Sequence, residues 1–194
     1  MTRLKTLSII SSGLETLSDD IWKLSSLSNL TLTGNRLRSL PTSLSRMRFL
    51  ERVTLDNNIY LSSLDALSGS LFLYELSASN CAIDHLPSNI SFLQFINLNN
   101  NKLTSLDDLD TISGIKCQSF IFSNNYITNI PTTMTRLETL NNFDLSNNLL
   151  TELPTWVYNL KDLRSINLLN NKIDKIESEW IKGIFRLTNT SVFI

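Results

Sequence analysis

The chain has little of what most active sites and most extracellular folds are built from. Its 194 residues include one histidine, two cysteines, four prolines and five glycines. Two cysteines cannot make a disulfide framework, and the clustered pairs of extracellular caps are absent. That points to a reducing, cytoplasmic setting, or to a piece cut from a longer chain. One histidine with cysteines scattered at Cys81 and Cys117 is too few for a zinc site, and no cofactor is expected. The five glycines form no phosphate-binding loop. No apolar run approaches the ~18 residues needed to span a bilayer, so membrane insertion is not expected. The N-terminal MTRLKTLSII is basic and then briefly apolar, but Thr6 and Ser8 interrupt it and no small-residue cleavage site follows, which argues against a secretory leader. A net charge of -1 argues against general affinity for nucleic acid or anionic membranes.

What the chain does have is leucine at a fixed interval. Units beginning at Leu4, Leu27, Leu50, Leu73, Leu93, Cys117, Leu140 and Leu163 follow one another at 23, 23, 23, 20, 24, 23 and 23 residues. Each reads approximately L-x-x-L-x-L-x-x-N-x-L. The seventh is the clearest, with Leu140, Phe143, Leu145, Asn148 and Leu150, then Leu153-Pro154. All four prolines (Pro41, Pro87, Pro131, Pro154) fall one residue after the last ladder Leu or Ile, although they played no part in setting the register. Proline lacks a backbone donor and has a fixed φ, so it suits the corner where the chain leaves a strand. Inward apolar residues at period two, such as Phe143 and Leu145, predict a short strand in each unit. One unit cannot bury both of its flat faces, so each must stack on the next. The Asn slot (Asn35, Asn58, Asn101, Asn125, Asn148, Asn171) calls for an amide that reaches backbone groups of neighbouring turns. Cys81 occupies that slot in the fourth unit and Ser12 in the first.

This signature covers nearly the whole chain and resembles the leucine-rich-repeat superfamily. The LPxxIxxL-like endings and 23-residue units are similar to the intracellular Ras-suppressor and Scribble/Erbin type, and the L-x-G-x-I-P of plant receptors is absent. The third and fifth repeats depart from the pattern, and the fourth is three residues short. The resemblance implies an α/β solenoid: a horseshoe with a parallel concave sheet and short helical or irregular convex segments. It implies one domain over residues 1–194, with about eight repeats and a truncated ninth near 187. Leu4 leaves no room for a preceding cap, and Leu187, Thr190 and Val192 look like an unfinished ninth strand; part of a longer array is expected. The implied function is a non-catalytic module that binds a protein or peptide on its concave face, in signalling or scaffolding. The alternatives are a repeat segment of a larger signalling enzyme or a recognition segment of an extracellular receptor.

A partner would meet the outward strand positions. Most of these are Ser, Thr or Asn, but the middle repeats contribute Arg52, Asp56, Tyr74, Glu75, Phe95, Asn97, Ile121 and Asp144. Outward apolar side chains there have no core to join, and aromatic and charged neighbours are typical interface anchors. Phe95 and Ile121 fall on adjacent strands and are expected within reach of each other. Arg36, Arg38, Arg46, Arg48 and Arg52, five of nine arginines, ring the second repeat from the loop to the convex side, with only Arg52 on the concave sheet. They read as a solvated edge, the alternative being a surface for an acidic or phosphorylated partner. His85 lies in a loop with no nucleophile-elbow motif and is read as an ordinary exposed side chain. The acidic cluster Asp107, Asp108 and Asp110 does not match a calcium loop. The sequons at Asn29, Asn89 and Asn189 do not argue for secretion in a chain this rich in Asn, Ser and Thr.

Overall fold

The computed structural model describes residues 3–90, 92–107, 109, 117–131, 137, 139–188 and 190–194. Its frame is one parallel sheet of nine three-residue strands in chain order. These are β1 (Thr6–Ser8), β2 (Asn29–Thr31), β3 (Arg52–Thr54), β4 (Glu75–Ser77), β5 (Phe95–Asn97), β6 (Ser119–Ile121), β7 (Asn142–Asp144), β8 (Ser165–Asn167) and β9 (Ser191–Phe193). Each pairs with the next residue for residue, so Asn29 faces Arg52, Arg52 faces Glu75 and Glu75 faces Phe95. The solenoid with a parallel sheet is the architecture the repeat predicts.

The middle residue of each strand points inward. Leu30, Val53, Leu76, Ile96, Phe120, Phe143 and Ile166 are buried there, and the ladder residue two positions on is buried with them. A fully buried side chain of this size stabilises by ~1.5–3 kcal/mol, so the ladder supplies most of the driving force. In the sixth and seventh repeats phenylalanine replaces leucine. Phe120, Phe122 and Phe143 pack edge to face with centroids 6.0 and 6.5 Å apart. Single turns of 3-10 helix cross the convex side at Asp19–Lys23, Thr42–Arg46, Asp65–Leu67 and Thr155–Asn159. Pro41 and Pro154 enter two of them with φ of -68° and -67°, the value the ring imposes. Pro131 also acts as an acceptor: its carbonyl takes the indole N–H of Trp156 at 2.7 Å.

The asparagine slot is where the repeats are tied together. In each case the amide NH2 donates to two carbonyls, one in its own repeat and one in the repeat before. Asn148 donates to Leu145 and Phe122 at 3.0 and 2.9 Å, and its oxygen accepts from the Ile127 N–H at 2.9 Å. Asn125 does the same with Phe122, Leu98 and the Leu103 N–H. Asn58, Asn101 and Asn171 repeat the arrangement. Cys81 keeps half of it: its thiol donates to the Leu55 and Ser79 carbonyls at 3.5 and 3.6 Å. At that same boundary Asp56 adds its own links, its carboxylate accepting from the Ser77 hydroxyl and from the N–H and hydroxyl of Ser79 at 2.7–2.9 Å.

The residue before the slot has a different duty. Asn57, Asn80, Asn100, Asn124, Asn147 and Asn170 all sit in the left-handed region, with φ of 53–60°. Asparagine tolerates that region better than most residues, which explains the Asn-Asn doublets. Gly34 takes the place in the second repeat at φ 70°, and a Cβ there would lie 2.7 Å from the Ser11 hydroxyl.

Three irregularities have local causes. The third repeat carries one extra residue after Asn58, so that Leu61 rather than Tyr60 returns to the core while Ile59 and Tyr60 are exposed. The fourth repeat loses its residues from the convex crossing, and no helical turn forms between β4 and β5 among the described residues. Before β9 an eleven-residue helix, α1 (Lys175–Phe185), lengthens the crossing. Val192 therefore takes the inward position opposite Ile166, while Leu187, which the spacing marks as the first ladder residue of a ninth unit, is 91 % exposed.

Asn148→Ala removes three buried backbone partners and is expected to cost roughly 3 kcal/mol in urea unfolding followed by circular dichroism. Asn147→Ala should cost ~1 kcal/mol, the left-handed penalty, while Asn147→Gly stays within ~0.5 kcal/mol of the parent. Equal losses for Asn148→Ala and Asn147→Ala would contradict the division of labour between the two positions.

Candidate functional site

The outward residues of the concave sheet form two rows, one from the first and one from the third residue of each strand. Toward both ends the rows are mostly short and polar, as in Thr6, Ser8, Asn29 and Thr31, or Ser165 and Asn167, until Phe193 closes one row on β9, 49 % exposed. The middle differs. Arg52 leans across to the next repeat, where its guanidinium stacks 5.1 Å above the Tyr74 ring, donates through Nε to the Tyr74 hydroxyl, and lies 3.2 Å from the Glu75 carboxylate. The bond to Tyr74 and that ring's proximity raise the already high pKa of Arg52, so the group is always charged. Arg52, Tyr74 and Glu75 are thus one preassembled cluster.

The other candidate residues divide into two kinds. Asp56 lies just past β3 and is consumed by the inter-repeat links described above. Asn97 and Asp144 turn back on their own loops, accepting from the N–H groups of Asn99 and Ser146 at 3.1 and 3.0 Å. Asp144 also accepts from the Ser146 hydroxyl at 2.7 Å. These three shape the sheet edge more than they offer free groups. Phe95 and Ile121 are the apolar pair. Phe95 is 37 % exposed and faces Ser119, whereas Ile121 lies in the other row, between Asn97 and Asp144. The two are therefore diagonal neighbours, with Cα atoms ~8 Å apart by strand geometry, and leave an apolar strip broken by Ser119 and Asn97.

Other features read in the sequence fall elsewhere. The arginines do not form one patch: Arg38 stacks on Tyr60 at 4.9 Å on the loop side, and Arg46 ends the convex turn of the second repeat. Asn29 lies on the concave sheet, its amide 3.4 Å from the Thr6 hydroxyl. Asn89 is exposed at φ 56°. Asp107 accepts from the Asn129 amide at 3.3 Å, and Asp108, Asp110 and Asn189 lie outside the described residues. Cys81 and Cys117 lie in different repeats, and burial pushes their thiols up to about 11 and about 12. His85 has Asp84 2.5 Å from Nδ1 and Asp65 2.9 Å from Nε2, so both ring nitrogens are engaged by carboxylates. An open cleft of about 800 Å³, bordered by Tyr158, Lys161, Arg164 and Thr190, lies toward the C-terminal end, away from the central cluster. Among the described residues no group of acidic, Cys and His side chains is arranged to hold a metal, and no helix is long and apolar enough to cross a membrane.

One feature went unread in the sequence. Phe49, Phe72 and Phe92 each stand immediately before a ladder leucine and are 62, 56 and 54 % exposed, forming a column along the edge where the chain enters the sheet. The signal was the dipeptide Phe-Leu at 49–50, 72–73 and 92–93.

No protein-family model and no curated protein matches the chain. Solved structures do. A leucine-rich-repeat protein of Leptospira interrogans superposes with TM-score 0.76 at 27 % identity, over 98 % of this chain and 54 % of that one. The chain is a leucine-rich-repeat solenoid. The plant peptide hormone receptor RGFR1, in complex with RGF2, superposes with TM-score 0.76 at 24 % identity over all of this chain and 32 % of its own. Drosophila Toll, in complex with Spatzle, gives 0.69 at 24 % over 87 % of this chain and 23 % of its own. This solenoid thus spans about half of the Leptospira protein's length and less of RGFR1 and Toll.

With one histidine in the chain, its titration is directly readable by NMR. Hydrogen bonding to Asp65 raises the His85 pKa, burial opposes this, and Asp84 adds to the rise. The midpoint is expected above ~6.5 and should fall toward that value in Asp65→Asn. Because the folded value is the raised one, the stabilisation is complete below ~6.5 and is lost as pH rises through the folded midpoint. A parent midpoint at or below that of Asp65→Asn would contradict the pairing.

Proposed function

We propose that this solenoid is a non-catalytic interaction module that holds a protein or peptide against the middle of its concave sheet, as part of a signalling or scaffolding assembly. The observation that carries the reading is Phe95, exposed at the centre of a surface whose inward residues alone feed the core. Beside it the Arg52, Tyr74 and Glu75 cluster is held in place before any ligand arrives, which lowers the entropy cost of binding. Ile121 extends the apolar strip on the next strand. The complexes of RGFR1 with RGF2 and of Toll with Spatzle support a protein or peptide as the class of partner. Nucleic acid is disfavoured by the net charge of -1. Both ring nitrogens of His85 are paired with carboxylates on the surface, away from the concave cluster, which is in keeping with a binding role. Two cysteines kept as thiols, Cys81 half-buried and Cys117 buried, suit a reducing, cytoplasmic setting.

The parent chain and a Phe95→Asp/Ile121→Asp variant, both immobilised, are each used to capture proteins from a lysate of the source cells, with mass spectrometry as the readout. Proteins held by the parent should fall at least tenfold on the variant, while the circular dichroism of the two stays the same. Equal capture by both would remove the concave sheet as the binding face.

A further inference from the structure

The Phe49, Phe72 and Phe92 column lies outside the concave rows and has no part in the core. The strand register aligns Arg52, Glu75 and Phe95, so the residues three positions earlier are stacked in successive repeats as well. Leu71, 60 % exposed, widens the column in the fourth repeat. At ~200 Å² per aromatic side chain, these four residues present about 450 Å² of apolar surface. That is the size of a functional patch on a monomer, and about half of the ~800 Å² each partner contributes to a standard interface between two folded chains. The area fits one helix or strand better than a second copy of this solenoid.

Spacing separates helix from strand. Successive repeats lie ~4.8 Å apart, so the three rings occupy about 10 Å along the solenoid axis. An α-helix lying along that axis presents apolar residues at i, i+3 or i+4, and i+7, rising ~4.5–6 Å per step and ~10.5 Å in all. An extended strand presents same-side residues ~6.7 Å apart and loses step by the third ring. Charge identifies the flank. At the Phe49 end the column borders Arg46 and Arg48, both exposed, and neither is within ion-pair distance of a carboxylate among the described residues. Beside Phe49 a groove of about 350 Å³ opens between Lys5, Ser28 and Glu51.

We infer that this edge is a second docking surface, taking an amphipathic α-helix of a partner whose apolar stripe covers Phe49, Phe72 and Phe92 and whose acidic flank meets Arg46 and Arg48. It is separate from the concave site and does not depend on it.

The probe is a displayed library of 18-residue amphipathic helices with varied apolar anchors and with Glu, Lys, Gln or Ser at the flanking positions, selected on the parent chain. The expected result is enrichment of Glu on one flank. The selected helices should lose at least tenfold in affinity on Phe49→Ser/Phe72→Ser/Phe92→Ser and change less than twofold on the concave variant Phe95→Asp/Ile121→Asp. On Arg46→Glu/Arg48→Glu the selection should turn to Lys, a readout that holds even if the serine variant folds poorly. The inference is overturned by absence of enrichment, by enrichment without charge preference, or by helices that the concave variant loses and the serine variant keeps. It is overturned equally if sedimentation shows the parent dimerising through this column, with the serine variant monomeric.

Discussion

The rest of the molecule depends on the hydrogen bonds by which each ladder asparagine joins its own repeat to the one before. Where the chain leaves a three-residue strand it turns away from the sheet, and the carbonyls at that bend lose their ladder partners. Buried carbonyls without donors cost ~1–3 kcal/mol each, a charge the apolar ladder would have to offset in every repeat. An asparagine amide offers two donors and an acceptor on a short stem, and it satisfies two carbonyls and one N–H at once. A thiol has one weak donor, so Cys81 meets only the donor half. The Asp56 carboxylate, with its three acceptor contacts, ties the third and fourth repeats at the boundary where the amide is missing.

That internal bookkeeping decides which surface groups remain for recognition. Asp56, Asn97 and Asp144 point away from the core, yet their oxygens are already engaged in holding loops. What remains in the middle of the concave sheet is an apolar pair set diagonally and the Arg52, Tyr74 and Glu75 cluster, held by stacking and an ion pair. The column of phenylalanines beside the sheet comes from the same central repeats as Arg52 and Phe95. A short stretch of solenoid therefore carries two surfaces of different character, one flat and mixed, the other narrow and apolar.

The leucine ladder, the asparagine slot and the proline corners were legible because each has one acceptable chemistry. An inward strand position must be apolar, the bend needs an amide, and the corner needs no donor. The extra residue in the third repeat was not legible: Tyr60 and Leu61 are both apolar enough for the ladder, and periodicity cannot choose between them. The doubled asparagines were visible as a pattern, but their reason, a left-handed φ, is a backbone property that composition does not display. Nor does any period assign an environment to the residue just before each ladder leucine, so the spacing says nothing of Phe49, Phe72 and Phe92.

By itself the sequence determined the superfamily, the direction of the sheet and the identity of nearly every core residue. Those follow from local spacing, and spacing is a property of the chain. Only the tertiary structure decided how the rows align across repeats, that Arg52 reaches Tyr74 and Glu75, that Asp56 is spent on the scaffold, and that β9 begins later than the interval implies. Each of these depends on side chains about 20 residues or more apart meeting across stacked turns, where a shift of one or two residues in a crossing changes every neighbour. Period sets what each repeat is, and stacking sets what it touches.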